Sequence, residues 1–126
     1  MKKATLTSLL LVIAFTFGFA QQKYYLFELT STKKADIVLK AINSELLLGD
    51  ETYNQVRDLL YESAKGQEEA SHRSTPLSPE QADRGLMRQT MHIENALHAI
   101  IGDALFVKYT AHKQEIETSV KAANTK

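Results

Sequence analysis

Apolar residues return every three or four positions along most of this chain, the spacing that lines one face of an α-helix. Ala35, Val38, Ile42 and Leu46 form a first stripe, with Ser31 or Thr32 placed to cap its start. Tyr53, Val56, Leu60 and Ala64 form a second, and Leu86, Ile93, Leu97 and Ile101 a third. Leu105, Tyr109, His112, Ile116 and Val120 form the fourth. Gly49 is expected to end the first helix in the left-handed C′ conformation, and Asp50 to cap the second. The polar run from Gly66 to Pro76 predicts a fraying helix end and a linker. Gly102-Asp103 repeats the Gly49-Asp50 punctuation and predicts a kink or a new helix. Four stripes and one long linker predict an all-α fold of helical hairpins, either a bundle or a dimeric cradle of bent hairpins. The single helical domain is expected over 31–122, with a loose tail at 123–126.

The beginning of the chain follows another rule. Lys2 and Lys3 precede an uncharged run from Ala4 to Ala20 that closes on Gly18-Phe19-Ala20, the small-x-small pattern of a signal-peptidase site. A signal peptide over 1–20, cut after Ala20, is expected, and with it a periplasmic or secreted location and no stable membrane insertion after cleavage. The next residues, 21–30, carry Tyr24, Tyr25, Phe27 and Leu29. A lone strand there has no partner to make a sheet, so the segment reads as an aromatic arm packed on the helices or on another subunit.

Composition narrows the chemistry. The 126 residues hold 15 basic and 15 acidic side chains, and loss of Lys2 and Lys3 leaves 13 against 15, a net charge of −2. No basic patch for nucleic acid is expected from that balance. The absence of Cys excludes disulfides, thiolate zinc sites and thiol catalysis. There is no nucleophile elbow, glycine-rich phosphate loop or His-Glu-x-x-His pattern, so an enzyme is not expected.

Ser78-Pro79-Glu80-Gln81 is the sharpest local signal: a capping Ser, Pro at the first helical position, and Gln placed to complete a capping box. With Leu77 it resembles the Leu-Thr-x-x-Gln motif of the Spy/CpxP-like periplasmic stress proteins, with Ser in place of Thr. Leu48-Gly49-Asp50-Glu51-Thr52-Tyr53 and Ile101-Gly102-Asp103-Ala104-Leu105-Phe106, which repeat at an offset of 53 residues (102 − 49), look like eroded relatives of the same motif. The resemblance spans about residues 35–116. It implies a non-enzymatic, exported helical hairpin protein that forms a homodimer. Such a protein binds apolar segments of other envelope proteins or unfolded clients, or senses envelope stress.

A competing chemistry lies on the third helix. Met87, Met91, Glu94 and His98 fall within one narrow stripe at 100° per residue, and Glu94 and His98 are i,i+4 neighbours. Thioethers beside an imidazole suit Cu(I), and His with a carboxylate suits zinc. The stripe is therefore a candidate metal site of a small envelope module, against the simpler reading of Met as core filler and His bonded to a carboxylate. His112 is placed to approach His98 from the fourth stripe.

Overall fold

A computed structural model describes residues 24–72 and 77–124. The proposed leader at 1–20 lies outside these residues, as do residues 21–23, 73–76 and 125–126. A 3-10 turn at Tyr25–Phe27 leads into α1 (Thr32–Leu46), α2 (Asp50–Ser71), α3 (Pro79–Ile101) and α4 (Asp103–Asn124). The described residues are thus all-α, as the stripes predict.

Each helix buries most of its stripe, while Tyr53, Leu86, Leu105 and His112 are only partly buried. Val38 and Ile42 of α1, Val56 and Leu60 of α2, Ile93 and Leu97 of α3, and Ile116 and Val120 of α4 share one core. α1 packs on α2 and α4, and α3 packs on the same two helices, which closes a four-membered ring. Side-chain links give the directions. Tyr61 of α2 donates to Asp36 of α1, and Tyr109 of α4 donates to Glu94 of α3. Glu45, near the end of α1, faces His112 of α4. Successive helices are antiparallel, so the chain forms a four-helix bundle within itself.

The joints depart from the sequence expectation in detail. Leu47, not Gly49, takes the left-handed conformation after α1 (φ 53°, ψ 63°), and its N–H donates to the Asn43 carbonyl. The Asn43 side chain accepts from Leu48 N–H at 2.9 Å, which holds the reversed backbone from below. Gly49 instead stands at the N-cap of α2 with φ −68°, and Asp50 is already the first helical residue. Its carboxylate stabilises the first turn through the helix dipole rather than as a cap. Gly102 ends α3 and starts α4 at once, with φ 84° and ψ 171°, a backbone region that requires glycine. The two glycines differ in conformation yet do the same work for the helix that follows: Gly49 O accepts from Tyr53 N and Gly102 O from Phe106 N.

α2 runs through Gly66 and ends at Ser71, inside the polar run where its end is expected, and Gln67 on that last stretch holds the N-terminal arm. One boundary shifts. α4 runs to Asn124, two residues into the segment expected to be loose, and the Asn124 amide donates to the Tyr25 hydroxyl. At the start of α3 both halves of the capping box form: Gln81 N–H donates to Ser78 Oγ at 3.2 Å, and Ser78 N–H to Gln81 Oε1 at 3.1 Å. Ser31 caps α1 by accepting from Lys34 N–H.

Candidate functional site

The aromatic arm is part of the core. Leu26, Phe27 and Leu29 are fully buried, and the Gln67 side chain of α2 bridges the arm's backbone. Its Nε2 donates to Phe27 O at 3.0 Å and its Oε1 accepts from Leu29 N–H at 2.8 Å. Lys34 reaches back from α1 to donate to Tyr25 O at 2.9 Å, with Nζ 3.7 Å above the Tyr25 ring centroid. Lys34 is 3% exposed, and this burial pushes its amine down to about 8 against the opposing pull of Glu28 and Glu117.

With the arm in place, the outer side of the α2–α3 pair carries a furrow made of three hollows that share walls. The first, of about 530 Å³, lies between Gln55, Asp58, Leu59 and Glu62 of α2 and Ala99 and Ile100 of α3. A second, of about 410 Å³, continues from Leu59 and Glu62 to Gly66, Gln67 and Ala70, with Gln89 and His92 opposite. The third, of about 590 Å³, takes over at Gln67, Ala70 and Gln89 and ends among Leu77, Ala82, Gly85 and Leu86, with Glu28 of the arm on its rim. The cause is local. Gly66, Ala70, Ala82 and Gly85 are too small to fill the seam between two helices 22 and 23 residues long. Leu77, 63% exposed, stands at the open end. Among the described residues, the charged ones lining the three hollows are Glu28, Asp58, Glu62 and Glu68, all acidic. Asp58 is paired with Arg57 at 3.3 Å, which leaves the three glutamates as the source of negative potential.

The Met87–His98 stripe lies on α3 as the periodicity places it, but its polar members are engaged separately. Glu94 Oε2 accepts from Tyr109 Oη and pairs with Lys113 Nζ, both at 2.8 Å. His98 Nε2 lies 2.6 Å from Asp103 Oδ1 across the Gly102 joint, and its ring stacks on Phe106 with centroids 4.1 Å apart. His112 meets Glu45, not His98. Met87 and Met91 are exposed. Among the described residues there is no group of three or more His, Cys, Asp or Glu side chains that could hold a metal. The motif residues Ser78, Pro79, Glu80 and Gln81 are exposed around the start of α3, where they fix the helix end beside the furrow.

Sequence reasoning passed over Gln67, Lys34 and the furrow. Lys34 carried a readable signal, since it lies four residues before Val38 and so on the buried face. Gln67 carried none, because its partners are backbone atoms 38 and 40 residues away. No family model, curated protein or solved structure matches the chain. No helix among the described residues is long and apolar enough to cross a membrane.

Proposed function

We propose that this is an exported, non-enzymatic helical binding protein of the Spy/CpxP-like type that holds apolar segments of other envelope proteins. The observation that carries the reading is the α2–α3 furrow, left open by the described residues, with small residues on its floor and Leu77 and Leu86 at its end. A furrow with an apolar floor offers non-directional burial to any apolar side chain, which suits a binder of varied clients. The leader-like first 20 residues support export, and the Ser78–Gln81 capping box supports the family resemblance. Homodimerisation belongs to the same reading.

The test is suppression of aggregation of a reduced or heat-treated client at equimolar protein, with light scattering to give the oligomeric state. Leu77→Asp, at an exposed position, is expected to weaken suppression while leaving helicity by circular dichroism unchanged. A protein that fails to delay aggregation at any ratio would end this reading.

A further inference from the structure

The charge along the furrow narrows the kind of segment it can take. Glu62 and Glu68 stand along α2 and Glu28 on the arm, so the carboxylates follow the length of the furrow rather than gathering at one point. Among the described residues the lining includes no Lys or Arg, and His92 is the one imidazole. Between the carboxylates the floor is Leu59, Gly66, Ala70, Gly85 and Leu86. From Gln55 to Ser71 the furrow follows α2 for about 24 Å at ~1.5 Å per residue. That length matches roughly seven residues of extended chain.

We propose that the furrow between α2 and α3 receives a basic, apolar segment of another polypeptide, its apolar side chains on the small-residue floor and its Lys or Arg side chains toward Glu28, Glu62 and Glu68. The proposal rests on the binding role above and names the partner chemistry of that same site. The physical basis is complementarity of two kinds. Apolar burial on the floor is indifferent to charge, whereas the carboxylates favour cationic flanks and disfavour acidic ones, which sets specificity and encounter rate. Because the glutamates stand at a wet rim, the preference is modest and falls with salt.

The chain has no Trp, so one Trp in a probe peptide reports binding to the purified protein by fluorescence without background. Three probes of roughly ten residues, alternating Leu with Lys, with Glu or with Ser, separate charge from apolar burial. The Lys probe is expected to bind about tenfold tighter than the Glu probe at low salt, with the gap closing at high salt. Glu62→Gln with Glu68→Gln, both at exposed positions, is expected to remove most of that preference and leave the Ser probe unchanged. Gly85→Leu, where an added Cβ meets nothing within 4 Å, should fold normally and weaken all three probes by filling the floor. Equal affinity for the Lys and Glu probes overturns the basic-segment assignment while leaving the apolar binder standing. Undiminished binding to Gly85→Leu overturns the furrow as the site. If no probe binds but the protein self-associates and Gly85→Leu disperses it, the occupant is a second copy and the proposal is wrong. If no probe binds and aggregation is not suppressed either, the general binding role falls with it.

Discussion

The Lys34 ammonium sits 3.7 Å above the Tyr25 ring while donating to the Tyr25 carbonyl, so one buried cation ties the arm to the first turn of α1. The hydrogen bond and the ring face offset part of the desolvation of the charge. They do not offset all of it, and the amine is pushed down to about 8 from 10.5.

Stability is therefore expected to rise with pH in the alkaline range. Below pH 8 both folded and unfolded chains hold the Lys34 proton, and the folded chain bears the buried charge. Between 8 and 10.5 the unfolded chain keeps a proton that the folded chain has released, which favours folding by up to about 3 kcal/mol. Tyr109 works in the opposite sense. Burial, reinforced by the Glu94 carboxylate, raises its phenol far above 10, so above pH 10 the unfolded chain alone ionises there and stability falls. Urea unfolding between pH 7 and 11 should pass through a maximum near pH 10. Lys34→Met should flatten the rising limb and spare the falling one. A rise of the same size in Lys34→Met would remove Lys34 as its source.

Gln67 ties α2 to the arm through two backbone groups, the Phe27 carbonyl and the Leu29 N–H. Gln67→Leu keeps the bulk but leaves the Phe27 carbonyl and Leu29 N–H without these partners. The expected loss is about 2 kcal/mol, with faster hydrogen exchange at Leu29 than in the rest of the core. Unchanged protection at Leu29 would mean the clamp contributes nothing.

Both joints should favour glycine, so adding it at one and removing it from the other should change stability in opposite directions. Leu47 is 77% exposed and holds a positive φ without any packing reward, so Leu47→Gly is expected to stabilise by about 0.5–1 kcal/mol. Gly102→Ala places a Cβ at φ 84° and is expected to destabilise by about 1–3 kcal/mol, although nothing lies within 4 Å of the added atom. Thermal melts of the two variants, read side by side, check both signs.

Thr90, 4% exposed in the middle of α3, has a hydroxyl with no hydrogen-bond partner among the described residues. Thr90→Val keeps the shape and removes the polar atom, and a gain of about 1 kcal/mol is expected in urea titration. A loss of similar size would reveal a partner for the hydroxyl in solution.

What could be read from the chain and what could not divides along the range of the interactions. The four buried stripes, the Ser31 cap and the Ser78–Gln81 capping box were all legible, because helical period and capping act within four residues. Gly102 was legible as a break for the same reason. Gly49 was misplaced by two residues, since the Asn43 side chain holds the left-handed turn at Leu47 and a short-range glycine signal cannot register it. Of the Met87–His98 stripe, the common face followed from periodicity, but its chemistry did not: Tyr109, Lys113, Asp103 and Phe106 claim Glu94 and His98, and they come from the next helix. The furrow was beyond reach altogether. It exists because α2 and α3 set Gly66 and Ala70 against Ala82 and Gly85 while the arm brings Glu28 to the rim. Local periodicity determines which face of each helix turns inward, whereas only the docking of helices and arm decides which outward faces meet and what space they leave between them.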